Sequence, residues 1–391
     1  MFRVAATVPA HARLLGRRHV VTWSKFSGGP SPALLRETSN RISVADFRRI
    51  AHVGDEPAVF RERIDPVMED GITTIPKGSS NGPRPIPFPA AHNWFADSDL
   101  GVKLPTPRFK KHLNDVAVPY ELILDPHGSP VANDGQPTIV ARFLKVLKKS
   151  RTTGRKAMYQ LLEAHLDREQ LRAGHLGTGF VRFHAPLSLL YYALWYNAPS
   201  EPAGRVSQLY IAQLPLTDLP DDLRGDVPTP LHLADFLAPG DSTLPEQSLS
   251  VDIYNSSLWL GLEPTFTPWH RDPNPNLLCQ LIGAKKIRFA PPPQGDELLR
   301  DVAARMGRPA DGRSAIRGED MMARTQREAE LEAVWGPDAR DFISEVVLEP
   351  GDMMYIPTGW WHSVVSDGPE KGQLNMSVNW WFRTRVPRPR G

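Results

Sequence analysis

Thr267-Pro-Trp-His-Arg-Asp-Pro-Asn-Pro-Asn276 runs a strand-like stretch into a proline-rich turn and sets a histidine and an aspartate two residues apart. Residues i and i+2 of a strand project from one face, so His270 and Asp272 reach a single point. The apolar run Leu277-Leu-Cys-Gln-Leu-Ile282 follows directly, which turns that face toward a core. Polar groups buried there without partners would cost roughly several kcal/mol. Something must bind them.

A later strand pattern supplies a second histidine, His362 in Gly359-Trp-Trp-His362, shortly after the turn Pro350-Gly-Asp352. Two imidazoles and one carboxylate on one side of a divalent metal, with other positions open, is the arrangement used by non-haem Fe(II) oxygenases. Taken singly, each histidine is more often a satisfied core or surface residue, and His-x-Asp occurs by chance. The neighbours change that weighting. If Gly283-Ala284 is a hairpin turn, Ile282 opposes Lys285, and Asn276, Leu278 and Gln280 share a face with Lys285. A lysine among apolar residues expects an anion. Thr267 is three residues before His270 and so on the opposite parity; a bulge is required to turn it inward. Cys279 points away from this row.

Outward from this centre, short apolar strands follow one another: 209–213, 258–261, 266–272, 277–282, 285–290, 345–348, 353–356, 362–365 and 375–382. Turn signals separate them, and the pattern predicts an all-β barrel or sandwich. Residues 294–342 break it with helical periodicity, which reads as a helical insertion between two strands. Upstream, 27–40 reads as a linker, 43–50 as a short helix, Val59-Phe60 as a strand, and 71–90 as a proline-rich, poorly ordered stretch. Apolar residues recur at helical spacing over 138–150. That helix is expected to continue through a basic run, Arg142, Lys145, Lys148, Lys149, Arg151, Arg155 and Lys156, with no acid among them. A solvated helix face is the plain reading of the run; an RNA or acidic-partner patch is the other.

Composition limits the alternatives. With 39 prolines in 391 residues, long helices cannot run throughout. A single cysteine, Cys279, excludes an internal disulfide and any Cys-x-x-Cys metal site. No apolar run approaches the length of a membrane span. Residues 1–36 hold six basic residues and no acid, which leaves 46 − 6 = 40 basic against 44 acidic residues in the remainder. An Arg-rich, acid-free start is the composition of a mitochondrial presequence; a disordered basic tail on a cytoplasmic or nuclear protein is the alternative. The near-neutral body exerts no general pull on nucleic acid.

Thr267-Pro-Trp-His-Arg-Asp272, Asn276-Leu-Leu-Cys-Gln280, Gly283-Ala-Lys285, Leu348-Glu-Pro-Gly-Asp352, Ile356-Pro-Thr-Gly-Trp-Trp-His362 and Ser377-Val-Asn-Trp-Trp381 resemble the Jumonji-C family. More narrowly, they are similar to its small hydroxylase-type members. The resemblance covers about 205–385 and implies a mainly β fold, a double-stranded β-helix (cupin or jelly-roll barrel), behind an N-terminal supporting region at 37–204. It implies Fe(II), 2-oxoglutarate as co-substrate, and O2. Carried over by position, His270, Asp272 and His362 would be metal ligands. Lys285 would pair with the distal carboxylate of 2-oxoglutarate, Thr267 and Tyr210 would hydrogen-bond the same end, and Asn276 and Asn379 would line the co-substrate pocket. The tryptophans 360, 361, 380 and 381 read as core and rim packing. The implied activity is hydroxylation of a protein side chain. Demethylation, RNA modification and a non-catalytic metal-binding interaction barrel are the alternatives.

Overall fold

The computed structural model describes residues 36–39, 47, 56–61, 67–69, 72–74, 88–124, 138–166, 180–234, 250–305 and 324–385. In chain order the strands are β1 (Arg36–Ser39), β2 (Ala58–Arg61), β3 (Val67–Glu69), β4 (Ile72–Thr74), β5 (Phe95–Asp97), β6 (Lys103–Pro105), β7 (Ala117–Ile123), β8 (Phe180–Pro186) and β9 (Leu209–Pro215). Eight more build the barrel: β10 (Ser250–Leu262), β11 (Phe266–Arg271), β12 (Asn276–Ile282), β13 (Lys285–Ala290), β14 (Ser344–Leu348), β15 (Met353–Ile356), β16 (Trp361–Ser366) and β17 (Leu374–Arg385). A nine-stranded sheet runs β1-β2-β15-β12-β17-β10-β9-β7-β8, and a four-stranded sheet runs β11-β16-β13-β14. Barrel strands alternate between the sheets from β10 to β13 and again from β14 to β17, with β13 and β14 paired in the smaller sheet, which is the jelly-roll double-stranded β-helix.

Three apolar clusters hold this arrangement. Val59, Leu278, Ile287, Phe289, Leu348, Met354 and Ile356 fill the barrel between the two sheets. The outer face of the large sheet packs on N-terminal elements, with Trp380 stacked on Phe88. All seven residues of β12 are therefore buried, because its two faces meet two different cores. The third cluster lies on the outer face of the small sheet and includes Trp269, Trp335, Ile343 and Trp361. Apolar burial is worth ~1.5–3 kcal/mol for each large side chain, so the scaffold does not depend on the polar site it carries.

Five helices flank the barrel and its cavity: α1 (Ile139–Lys149), α2 (Thr153–His165), α3 (Ser188–Asn197), α4 (Pro292–Arg305) and α5 (Arg324–Trp335). Thr138 caps α1, its hydroxyl accepting from the Ala141 amide at 3.2 Å. Phe143, Leu144 and Leu147 form the buried stripe of α1 and leave its cations outside. α4 and α5 are the described parts of the insertion between β13 and β14. Trp361 packs against α4 so closely that a Cβ at Gly295 would lie 2.1 Å from its ring.

Four expectations need correction. Gly283-Ala284 is not a hairpin: β12 pairs with β15 and β17, whereas β13 pairs with β14 and β16. The chain instead turns a corner between sheets, with Gly283 at φ +69° and its carbonyl accepting from the Gln280 side chain at 2.8 Å. The local turn signal was sound, but the partners of both strands are distant in sequence. The basic run does not lie on one continuous helix. Ser150 is extended, with ψ 148°, and α2 restarts at Thr153. The end of the expected linker, Arg36–Ser39, is a strand parallel to β2. Within 71–90, Ile72–Thr74 pairs with β3 and Phe88 and Ala90 are buried core, while 75–87 lies outside the described residues. Of the helix expected at 43–50, only Phe47 is described; it is helical and buried.

Candidate metal centre

His270 on β11 and His362 on β16 are direct cross-strand partners, with ring centroids 4.1 Å apart. Asp272 lies one residue beyond the end of β11, and its Oδ2 is 3.8 Å from His362 Nε2. One donor atom from each of the three lies within 4.8 Å of the others, and all three residues are buried. The imidazole Nδ1 atoms are occupied: His270 Nδ1 is 2.7 Å from the Pro268 carbonyl and His362 Nδ1 is 3.1 Å from the Trp360 carbonyl. A carbonyl only accepts, so each Nδ1 carries the proton and each Nε2 presents a lone pair. Two neutral imidazoles and a carboxylate aimed at one point suit a divalent ion of the iron type.

Asp272 is held from behind. Its Oδ2 accepts from Trp381 Nε1 at 2.8 Å and from Asn276 Nδ2 at 3.1 Å. Asn379 donates to Asn276 Oδ1 at 2.9 Å and accepts from Trp259 Nε1 at 2.8 Å. The chain Trp259, Asn379, Asn276, Asp272 therefore fixes both amides and the carboxylate in one orientation. Burial alone would raise the Asp272 carboxyl. The positive charge that His270 and His362 carry whenever they are protonated, with the Trp381 and Asn276 donors, outweighs it and holds the group below the usual carboxylate range.

The anion-seeking end lies across the same cavity. Lys285 is 3% exposed and donates from Nζ to Ser377 Oγ at 2.5 Å and to the Tyr210 hydroxyl at 3.4 Å. Burial pushes its ammonium down to about 7, against the opposing charge of Glu263. Burial drives the Tyr210 phenol up, so it remains a neutral hydroxyl, and the Thr267 hydroxyl bonds it. Thr267 reaches the cavity through the required bulge: two residues of β11 between Thr267 and His270, Pro268 and Trp269, face one of β16, Ser363. The cavity has a volume of about 320 Å³, in the range of small-molecule sites. Leu278, Ile356 and Val364 add apolar wall to the same cavity.

All eight residues singled out in the sequence, His270, Asp272, His362, Lys285, Thr267, Tyr210, Asn276 and Asn379, line this one cavity. Lys285 is inward as expected, although the hairpin used to place it does not exist; the two sheets turn the same rows toward a shared interior. Trp381 corrects the assignment to packing, since its indole N–H bonds Asp272. Ser377 and Trp259 were missed. Parity contained the signal for two of these residues: Ser377, Asn379 and Trp381 occupy alternate positions of β17 and share its inner face. Arg271, between the two candidate ligands, points outward to Asp296 on α4 at 3.0 Å. Cys279 is buried in the core outside the cavity.

A family description of a cupin-like domain matches residues 141–387, more than half of this chain. The chain belongs to the cupin-like domain family. Among curated relatives, this family member is 35% identical over 127 residues to Jumonji C domain-containing protein 5 of Drosophila melanogaster, covering 32% of this chain and 26% of that protein. It is 31% identical over 187 residues to lysine-specific demethylase JMJ30 of Arabidopsis thaliana, covering 48% and 35%. It is 29% identical over 177 residues to lysine-specific demethylase 8 of Danio rerio, covering 44% and 36%. The cupin-like chain thus spans roughly a third of the length of these relatives. Among the described residues, no helix is long and apolar enough to cross a membrane.

Proposed function

We propose that this cupin-like protein is a 2-oxoglutarate- and Fe(II)-dependent oxygenase that hydroxylates a protein side chain. The observation that carries the reading is the pairing, in one cavity, of the His270, Asp272, His362 cluster with a buried lysine. Bound iron would supply the redox chemistry by which 2-oxoglutarate and O2 oxidise a substrate C–H bond. His270 and His362 would hold it through Nε2 and Asp272 through its carboxylate. Lys285, Tyr210, Thr267 and Ser377 would bind the distal carboxylate, Lys285 as the counter-charge and the three hydroxyls as hydrogen-bond partners. Asn276 and Asn379 orient Asp272, and the apolar walls keep water from the reacting carbon.

Hydroxylation is favoured by the likeness of the motifs to hydroxylase-type members. Demethylation begins with the same oxygen insertion, on an N-methyl carbon, and the relatives named as demethylases support that alternative. The deciding experiment compares extract proteins from cells with and without the gene by mass spectrometry. One-oxygen mass gains lost on deletion support hydroxylation; methyl groups that accumulate instead support demethylation. Neither change would count against an oxygenase acting on protein, and in favour of a non-catalytic interaction barrel.

One observation favours a second reading, RNA modification. Lys145, Lys149, Arg155 and Trp195 rim a surface depression of about 400 Å³. The Arg155 guanidinium stacks 3.8 Å over the Trp195 ring, which is 38% exposed. Cations beside an exposed aromatic suit unpaired bases on a phosphate backbone. Binding of single-stranded RNA that weakens steeply with salt and is lost in Lys149→Glu supports this reading. For residues 1–36, composition supports mitochondrial targeting; residues 1–35 lie outside the described part of the chain.

A further inference from the structure

The bulge in β11 that brings both Thr267 and His270 to the cavity leaves backbone groups without strand partners. Pro268 has no N–H, and its carbonyl is taken by the His270 ring. The Trp269 amide finds no place in the β16 ladder. An unpaired buried amide is costly, and a strand whose ladder is broken beside a ligand has freedom to move it.

The helical insertion meets that need. The Trp269 amide donates to the Glu330 carboxylate of α5. Trp335, at the end of the same helix, donates from its indole to Ser363 Oγ at 3.0 Å, and Ser363 in turn donates to the Thr267 carbonyl at 2.8 Å. The Trp269 indole reaches the Gly295 carbonyl of α4 at 3.4 Å. Arg288 of β13 ties α5 down through the Val334 carbonyl at 2.7 Å. The bulge is thus braced on both sides of Pro268 by hydrogen bonds that lead to side chains of the insertion.

Glu330 is an expensive choice for a purely structural contact. It is 1% exposed, and its second oxygen, Oε2, has no hydrogen-bond partner among the described residues. Burial pushes its carboxyl up to about 8, against the Trp269 amide, so near neutrality it carries a proton and acts as a neutral acceptor. A glutamine would do the same with nearly the same shape, whereas an alanine would release the amide.

We infer that the insertion is a positioning brace for the metal centre: Glu330, with Trp335, fixes the β11 bulge and so sets how tightly His270 and its partners hold a metal. The inference rests on the proposed metal site and adds two positioning residues that lie outside the strands carrying the ligands. Residues behind first ligands typically alter metal affinity by 10–100-fold.

The test titrates Mn(II) into the full chain and reads bound metal by electron paramagnetic resonance, with circular dichroism and a melting curve for each variant. Glu330→Ala should keep its β-rich spectrum and bind Mn(II) about 10-fold or more weakly. Glu330→Gln should stay within about threefold of wild type. If Glu330→Ala does not fold, Trp335→Phe, which removes one indole N–H and little volume, should weaken Mn(II) by severalfold in a folded protein. Folded variants that all bind as wild type would overturn the brace and leave the metal site standing; Glu330→Gln as weak as Glu330→Ala would also overturn it. A wild type that binds no Mn(II) would instead bring down the metal-site reading, and the brace with it.

Discussion

Lys285→Met removes a buried charge and keeps the length of its stem. In the proposed function Lys285 is the counter-charge for the far carboxylate of 2-oxoglutarate. Taking one partner from a buried ion pair typically costs about 3–5 kcal/mol. At roughly 1.4 kcal/mol per tenfold, that is about two to three and a half decades of affinity. The surroundings move the expectation to the lower end. Ser377 and Tyr210 already share the ammonium, and with its titration lowered to about 7 a sizeable part of the unliganded protein carries a neutral amine at neutral pH. A loss of about 100-fold is therefore expected. The assay is isothermal titration of 2-oxoglutarate with Mn(II) in place of iron. Lys286→Met is the control: Lys286 faces outward, 3.2 Å from Asp367, and should change affinity by less than about twofold. The unliganded Lys285→Met protein should melt no lower than wild type, because the burial that disfavours the ammonium is relieved. Affinity within threefold of wild type in a folded Lys285→Met protein, or equal losses at both lysines, would refute the assignment of strand faces and the anion site together.

The same lysine sets a pH dependence. Since its ammonium is depressed by burial, binding a dicarboxylate above pH 7 must take up a proton, so 2-oxoglutarate affinity should fall by about tenfold per pH unit from 7 toward 9 in wild type and stay level in Lys285→Met. The unfolded chain keeps that proton to the ordinary lysine range, so the stability of the unliganded protein should rise over the same interval in urea titrations. His270→Ala and Asp272→Ala should abolish Mn(II) binding with the far-ultraviolet spectrum intact. Trp381→Phe, which removes one hydrogen bond to Asp272, should weaken binding by about 10-fold; an unchanged Mn(II) affinity would make Trp381 a packing residue after all. A fusion of residues 1–36 to a fluorescent protein should enter mitochondria and be shortened, and a uniform cytosolic signal would remove the targeting proposal.

The barrel was readable because each strand is a short apolar run closed by its own turn residues. Lys285–Ala290 and Met353–Ile356 begin and end where the sequence places them. The pairing was not readable. A jelly roll joins strands that are far apart in the chain, so a two-residue turn between β12 and β13 looks like a hairpin from inside the sequence and proves to be a corner. Strands β7 and β8 were unmarked for a different reason. Pro119 and Glu121 interrupt one and Arg182 and His184 the other, so neither shows the apolar run that identified the barrel strands. The break at Ser150 is equally quiet: the polar residues between α1 and α2 would sit as well on an exposed helical face as in a turn.

The candidate site was more legible than the fold around it, because parity survives errors of pairing. Thr267 illustrates this. Its position three residues before His270 forbids a regular strand if both point inward, so the need for a bulge follows from two residues and a face. What parity cannot supply is the support for that bulge. The groups that satisfy it come from Glu330 and Trp335, some 60 residues further on, in a charge-rich stretch whose sequence reads as an ordinary exposed helix. Only contact reveals that Glu330 is turned into the barrel wall, and the same is true of the Trp381 indole behind Asp272. Residues that touch a metal must be of particular types, and type is visible in a sequence. Residues that hold those ligands in place need only donate or accept one hydrogen bond, which most side chains can do, so their identity emerges from geometry alone.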